Sequence, residues 1–529
     1  MSVTVRKFGT FAGVYTPSVL TILGVIMYLR MGYVVGNAGM WSTIAIILVA
    51  HVISITTGLS VASISTDRKI EAGGIYYILS RSLGLPIGGA IGFTLFVGTA
   101  LAISLYLVGF SESFIDVTVP IEANWFGLSD LSMIRIVASS ALVLITIIAF
   151  ISTNIALKLQ FIILGAIVLS LISIFGGDWS NPDPINSELL EIKRESGWFN
   201  LFAIFFPAVT GFTAGVAMSG DLKDPKKSIP NGTILSIATG LIIYLFLAVF
   251  IAVSIPQDLL ITDDNVLKKY AWIPVLVVAG IWGATLSSAI GSLLGAPRIL
   301  QAMSMDKIGP KIFARGFGAE NEPRNALMLT FLIAEAGILI GELNTIAEIV
   351  SMFFLAAYGF INLAQFLESW ASTDYLPSFK ISKWFGLVGF IATLYVMMML
   401  NTAAMVIALI VILGIFVFLT RKQITLGSGD VWQSVWSSVV KAGLKRMDRK
   451  EMHKRNWEPN ILLFSGETDN RPYLLEFSKA LAGRLGMISN FDLVETPDSK
   501  VLFPKHQQAK RDTEIIEQGV FSRRQECKN

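Results

Sequence analysis

Pro207-Ala208-Val209-Thr210-Gly211-Phe212-Thr213-Ala214-Gly215-Val216-Ala217-Met218-Ser219-Gly220 lies inside an apolar segment long enough to cross a bilayer, yet it is rich in residues that weaken a helix. A helix in lipid must hydrogen-bond its own backbone, so an interruption frees amides and carbonyls that survive only where they are buried or line a wet cavity. The stretch therefore reads as a break in a membrane helix and as a ready-made ion site. The first apolar segment holds a second candidate break, Gly13-Val14-Tyr15-Thr16-Pro17 followed by Thr21-Ile22-Leu23-Gly24-Val25. Interruptions in spans one and six point to a five-plus-five inverted repeat whose unwound helices meet near the membrane midplane. There, half-helix N-termini aim amides at anions, and carbonyls at the other half-helix ends coordinate cations.

The composition around these breaks fits lipid. The chain of 529 residues is 53% hydrophobic and only 15% charged, with a mean hydropathy of +0.66, whereas soluble domains carry roughly 25% charge. A net charge of +3 is too small to argue for a nucleic-acid partner. The single Cys527 excludes an intrachain disulfide and a cysteine metal cage. His51, His453 and His506 are far apart, so neither a transition-metal site nor a cofactor is expected. Met1 to Thr10 is short and carries Arg6 and Lys7, unlike a removable signal peptide; the first span is expected to act as its own insertion signal.

Apolar runs measured against the roughly 20 residues that cross a bilayer predict about twelve spans. Their limits are 14–36, 40–64, 87–111, 133–152, 155–176, 199–220, 232–255, 273–302, 326–343, 345–368, 382–399 and 402–420. Lys and Arg collect after spans two, six, eight and twelve, at Arg68, Lys69 and Arg81, at Lys223, Lys226 and Lys227, at Lys307, Lys311, Arg315 and Arg324, and at Arg421 and Lys422. Acidic residues mark the intervening loops, among them Glu112, Asp116, Asp263 and Asp264. The positive-inside rule then places both termini in the cytoplasm of a multi-pass cell-membrane protein.

Four regions are expected: a cytoplasmic N-terminus over 1–13, a transport domain over 14–420, an amphipathic linker over 421–455 and a partial α/β cytoplasmic domain over 456–529. In the linker Val431, Val435, Val439, Leu444 and Met447 recur near helical spacing, with Lys441, Lys445, Arg446, Arg449 and Lys450 around the other face. Such a helix suits either its own protein or anionic lipid. Beyond it, Asn460 to Phe464, Pro472 to Leu485 and Phe491 to Val494 read as strand, helix and strand. About 70 residues are few for an independent core.

Two hydroxyl features stand near the breaks. Ala284-Thr285-Leu286-Ser287-Ser288 puts adjacent hydroxyls inside span eight; such oxygens are hard ligands for an alkali cation, and serines that bond back to their own helix give the same pattern. Tyr106 and Tyr358, inside spans three and ten, read equally as interfacial anchors or as site residues.

The motifs Gly9-Thr10-Phe11-Ala12-Gly13-Val14-Tyr15, Gly24-Val25-Ile26-Met27-Tyr28-Leu29-Arg30, Gly73-Gly74-Ile75-Tyr76-Tyr77-Ile78-Leu79-Ser80-Arg81-Ser82-Leu83-Gly84, Phe205-Phe206-Pro207-Ala208-Val209-Thr210-Gly211, Ser219-Gly220-Asp221-Leu222-Lys223-Asp224-Pro225 and Gly295-Ala296-Pro297-Arg298 resemble, in that order, those of the cation-chloride cotransporters of the amino acid-polyamine-organocation superfamily. The resemblance covers about residues 8–370 and continues more weakly around Asn456 to Glu476. It implies an all-α polytopic fold with broken helices one and six, and electroneutral symport of sodium, potassium and chloride by alternating access. It implies a potassium site at Tyr106, Thr210, Pro207 and the backbone of Thr21 and Ile22. It implies one chloride on the amides of Gly24, Val25 and Ile26, and another on those of Gly211, Phe212 and Thr213 with the Tyr358 hydroxyl. The family's sodium site matches Ala284, Ser287, Ser288 and the carbonyls of Leu20 and Leu23, and its extracellular ion pair matches Arg30 and Glu112. The resemblance further implies inorganic ions and the lipid bilayer as partners, and a homodimer.

The chain departs from that pattern at several positions. The family usually has asparagine at Thr21, tryptophan at Leu23 in sodium-coupled members, and aliphatic residues at Phe212 and Thr213. Short extracellular loops, and an Asn231 sequon on the expected cytoplasmic side, fit a compact prokaryotic member. The serine pair favours sodium coupling over potassium-chloride symport without sodium. An amino-acid transporter of the same fold is the main rival; Leu23-Gly24-Val25 leaves less room for a carboxylate than the glycine-x-glycine turn usual in those proteins. A channel or membrane sensor is a further alternative, and no concentrated acid-base or nucleophile pair suggests an enzyme.

Overall fold

The computed structural model describes residues 8–67, 73–118, 129–151, 153–177, 197–217, 222–318, 321–372, 375–421, 431–448, 460–464, 471–482, 487–496 and 520–528. They form two compact units, Met1–Ser438 and Val439–Asn529.

The first unit is helical throughout. A π turn, Phe11–Tyr15, runs straight into α1 (Thr16–Ile22), and α2 (Val25–Leu29) and α3 (Met31–Ala38) follow. Then come α4 (Met40–Asp67), the short α5 (Ile75–Ser82), α6 (Leu85–Thr118), α7 (Asp130–Ile151) and α8 (Thr153–Phe175). The next stretch comprises α9 (Trp198–Phe205), a 3-10 turn over Phe206–Val209, and α10 (Thr213–Ala217). The long α11 (Pro225–Ser254) leads through α12 (Gln257–Thr262) and α13 (Val266–Tyr270) to α14 (Pro274–Met305). After α15 (Lys311–Ala314), the unit is completed by α16 (Arg324–Ile338), α17 (Leu343–Ala371), α18 (Lys383–Leu400) and α19 (Thr402–Arg421).

Among the described residues eight helices are long and apolar enough to cross a membrane, and three shorter apolar helices accompany them. This is a multi-pass helical membrane protein. Some expected spans fall short of full length for identifiable reasons. The helix of α9 and α10 is divided by its 3-10 turn, and α16 has 15 residues, about 22 Å at 1.5 Å per residue, against a hydrocarbon core of about 30 Å.

Both breaks are narrower than the sequence suggested. Gly13 to Pro17 stays helical, because the Thr16 amide bonds to the Phe11 carbonyl in a widened π turn and Pro17 sits in the first turn of α1, where its missing N–H is tolerated. Gly13 serves close packing instead: a Cβ there would lie 2.4 Å from the Leu222 side chain. The interruption is confined to Leu23 and Gly24. In the other helix it covers Phe206 to Phe212, since Thr213 to Ala217 is helical again, and Ser219 and Gly220 lie outside the described residues. Pro207 lacks an amide hydrogen, and the Thr210 amide and hydroxyl both bond back to its carbonyl at 3.2 and 2.8 Å.

The interior of this unit is one continuous apolar cluster. α4 packs against α11, α6 against both α14 and α17, and α17 against α18. Short α5 is tied down by charge: Arg81 donates to both Asp306 carboxylate oxygens at 3.0 Å, and the Tyr76 hydroxyl donates to Oδ2 at 2.6 Å. Burial first, and then the Asp306 bond and charge, hold the Tyr76 hydroxyl well above the usual phenol range.

In the stretch expected to be an amphipathic linker, α20 (Val431–Asp448) forms; residues 449–459 lie outside the described set. In the second unit β1 (Asn460–Phe464), α21 (Pro472–Ala482), β2 (Met487–Thr496) and β3 (Val520–Lys528) follow in order. All three strands are parallel and neighbours in sequence order, with Asn460 opposite Met487 and Ile488 opposite Val520. A small core of Ala482 and Ile488, packed with Ile461, Leu463 and Leu475, joins α21 to the sheet.

The two breaks touch through their backbones. A Cβ on Gly211 would fall 2.6 Å from the Ile22 nitrogen and 2.7 Å from the Thr21 carbonyl carbon. Backbone atoms cannot yield as a side chain does, so Gly211→Ala is expected to cost about 1–3 kcal/mol through overpacking. Gly165→Ala, which meets nothing within 4 Å, is expected to leave thermal unfolding of the purified protein unchanged or raised. Equal effects of the two substitutions would refute the contact.

Candidate functional site

Carbonyls at the breaks lose the regular amide partners of a continuing helix, and in a dry interior each costs roughly 1–3 kcal/mol if left unmade. Hydroxyls from neighbouring helices meet them. The Ser54 hydroxyl of α4 donates to the Val209 carbonyl at 2.9 Å, Ser18 of α1 to that of Phe212 at 3.1 Å, and Tyr358 of α17 to that of Thr210 at 2.8 Å. On the first break Tyr244 of α11 donates to the Ile22 carbonyl at 2.6 Å. Among the site residues named from sequence, Thr21 turns its hydroxyl back onto the Pro17 carbonyl at 2.9 Å.

Against this background Tyr106 stands out. Four phenols, Tyr28, Tyr106, Tyr244 and Tyr358, are buried in the helices that cross the membrane. Tyr28 pairs with the Ser170 hydroxyl at 2.7 Å, and Tyr244 and Tyr358 have the carbonyl partners just described. The Tyr106 hydroxyl makes no hydrogen bond among the described residues, although the residue is only 6% exposed. Tyr106 lies one turn before Gly109, where a Cβ would come within 2.1 Å of the Val25 side chain; α6 therefore runs against the start of α2 at this level.

The serine pair sits on the other side of the first break. Ser288 of α14 is buried, its Oγ 3.5 Å from the Leu20 carbonyl, too long for a strong hydrogen bond. A Cβ on Gly24 would lie 2.8 Å from the Thr21 carbonyl oxygen and 3.8 Å from Ser288 Oγ. Ala284, one turn earlier on α14, is fully buried, and Ser287 is half-buried. Leu23, Val25 and Ile26 are buried beside them. The structure thus brings together Leu20 to Ile26, Pro207 to Thr213 and Ser288. At the second break Thr213 turns both its amide and its hydroxyl to the Thr210 carbonyl, at 3.4 and 3.2 Å. Phe212 packs its ring 5.3 Å from that of Tyr358.

Arg30, at the junction of α2 and α3, collects three side-chain partners besides the Leu29 carbonyl. Its Nη2 donates to both oxygens of Glu112 at 3.0 Å, its Nε to Asn344 at 2.6 Å, and its Nη1 contacts Asp264 at 3.1 Å. Burial pushes the Asp264 carboxyl up from its usual range; Arg30 draws it down, and Asp263 adds to the rise. The flanking loop is held further by Lys268 on Asp116 and Lys269 on Asp263.

Tyr244, Ser54, Asp264 and Asn344 did not emerge from the sequence reading. Tyr244 is, like Tyr106, a phenol inside an apolar span, and a buried phenol that needs a partner is the signal that could have found it. Ser54 looks like any serine of a helix, and Asp264 counted only as loop charge.

Interrupted helices that meet inside an apolar bundle, their broken ends in backbone contact, fit a solute transporter of the membrane. The chain matches the amino acid permease family over residues 13–463, and it belongs to that family, a family of transporters and not of enzymes. It is 32% identical over 540 residues to solute carrier family 12 member 2 of Mus musculus, covering 92% of this chain and 45% of that protein. It is also 32% identical over 542 residues to solute carrier family 12 member 1 of Homo sapiens, covering 91% of this chain and 49% of that protein. The motif resemblance to the cation-chloride cotransporters therefore stands. The chain spans about half the length of these curated relatives.

The Arg30 cluster yields a graded prediction. Glu112 is 14% exposed and meets Arg30 with both oxygens, whereas Asp264 is 44% exposed and partly screened by solvent. Glu112→Gln is expected to lower the thermal unfolding midpoint more than Asp264→Asn, and only the smaller effect should fade in 0.5 M salt, on the order of a 4 Å Debye length. The reverse ranking would overturn this reading.

Proposed function

We propose that the protein carries sodium, potassium and chloride together in an electroneutral symport by alternating access. The observation that carries this is Tyr106, a buried residue whose hydroxyl makes no hydrogen bond among the described residues, on a helix that runs against α2, together with two breaks in backbone contact. Potassium is held by Tyr106, the Thr210 hydroxyl and the carbonyls of Pro207, Thr21 and Ile22. Donation from Thr210 to Pro207 leaves lone pairs on the Thr210 hydroxyl for the cation, and the Pro207 carbonyl takes the ion in place of one of its two bonds from Thr210. Sodium takes Ala284, Ser287, Ser288 and the carbonyls of Leu20 and Leu23, where the 3.5 Å gap between Ser288 Oγ and the Leu20 carbonyl separates two hard oxygen ligands. One chloride rests on the amides of Gly24, Val25 and Ile26. The second uses Gly211, Phe212 and Thr213 with Tyr358, whose hydroxyl proton turns away from the Thr210 carbonyl on binding.

Ions of opposite sign placed side by side lower the cost of holding charge at low dielectric. Twelve spans in a five-plus-five inverted repeat rock around the site, with both termini cytoplasmic and Arg30 and Glu112 closing the extracellular side. The transport domain covers 14–420, after a cytoplasmic 1–13; the linker over 421–455 and the α/β portion over 456–529 face the cytoplasm of a homodimer.

Two other readings have support of their own. The matched family is that of amino acid permeases, which favours an amino acid as cargo, and potassium-chloride symport without sodium shares every residue but the Ser287-Ser288 site. Uptake of rubidium, a potassium surrogate, into vesicles separates all three. We expect uptake to require chloride and to be stimulated by sodium; indifference to chloride sinks the symport, entry of labelled alanine favours the permease reading, and indifference to sodium leaves potassium-chloride symport. Ser287→Ala with Ser288→Ala is expected to remove sodium stimulation, and its persistence would dismiss that site. Tyr106→Phe is expected to weaken potassium more than sodium, and equal weakening would remove Tyr106 from the potassium shell.

A further inference from the structure

Helix α1 stops at Ile22 because the chain unwinds at Leu23 and Gly24, and the Ile22 carbonyl loses the amide that a continuing helix would supply. The donor that replaces it comes from 222 residues away: the Tyr244 hydroxyl, at 2.6 Å. Two residues of α11 build this contact one turn apart. At Gly240 a Cβ would lie 2.6 Å from Ile22 Cγ2, so only glycine lets α11 approach so closely; Tyr244 then reaches over to the carbonyl. The Tyr244 ring is fully buried, edge-on to Phe205 at 5.2 Å and tilted against His51 at 6.3 Å. Phe205 and His51 flank the ring and limit where its hydroxyl points.

We infer that Tyr244 is a positioning residue that sets the preference of the site among alkali cations. The inference rests on the reading of the Ile22 carbonyl as a potassium ligand. A carbonyl oxygen has two lone pairs, and the Tyr244 hydrogen bond occupies one of them and fixes the direction of the other. It also draws electron density from the oxygen, and a weaker oxygen field favours a larger, less tightly hydrated cation over sodium. Tyr244 touches no ion; it acts through the carbonyl it holds.

The test is chloride-dependent rubidium uptake into vesicles by the full chain carrying Tyr244→Phe, which keeps the ring against Phe205 and His51 and removes only the hydroxyl. We expect the half-saturating rubidium concentration to rise about three- to tenfold, the size of one hydrogen bond's net contribution, and sodium to compete with rubidium more strongly than in the native protein. Tyr244→Met, a second variant without the hydroxyl, is expected to move both quantities in the same direction, so the comparison survives poor folding of either variant. A lowered maximal rate with unchanged half-saturation and unchanged sodium competition would make Tyr244 merely structural and overturn the inference, leaving the symport intact. Loss of chloride-dependent rubidium uptake in the native protein itself would instead remove the proposed function on which the inference stands.

Discussion

Hydrocarbon offers no hydrogen bonds, and every carbonyl released by a helix break must find a donor within the protein or face a wet cavity. This constraint organises the centre of the molecule. Gly211 lets the second break lie directly on the backbone of Thr21 and Ile22. Around that contact, hydroxyls from four other places in the fold meet the released carbonyls: Ser54, Ser18, Tyr358 and Tyr244. Each bond spans from 148 to 222 positions in the chain, so the breaks exist only when the surrounding helices are already in place. The Tyr106 hydroxyl, by contrast, makes no hydrogen bond among the described residues.

The Arg30 and Arg81 ion pairs join elements to one another. Arg30 gathers Glu112, Asp264 and Asn344, drawing α2, α6, α17 and the α12–α13 connection together on one side of the break. The Arg81–Asp306 pair joins α5 to the end of α14. The side chains that hydrogen-bond the interrupted backbone are neutral hydroxyls. Peptide dipoles meet cations with carbonyls and anions with amides, without the desolvation cost of a buried side-chain charge.

Periodicity and length made the membrane character and most helices legible in the sequence, because an apolar run of about 20 residues has few other uses. Strand Asn460–Phe464 also stands where its residues suggested. The breaks were legible as places but not as extents. Gly13 and Pro17 looked like helix breakers, yet a π turn keeps them helical, and Thr213 to Ala217 winds up again despite its glycine. Hydrogen-bond partners were the least legible part. Nothing local marks Ser54 as a donor to a carbonyl on another helix, or tells which carbonyl Tyr244 meets, since the pairing is a property of the assembled bundle. Asp264 was hidden for a similar reason: its role depends on a loop folding back to Arg30.

The proposed function stands on a monovalent cation held jointly by the two backbone breaks and Tyr106. A structure of the protein purified in a thallium(I) salt tests it most directly, because thallium substitutes for potassium and scatters strongly. The account predicts a single thallium peak among Tyr106 Oη, Thr210 Oγ1 and the carbonyls of Pro207 and Ile22, lost in Tyr106→Phe. An empty gap at saturating thallium, or a peak that survives that substitution, would contradict it.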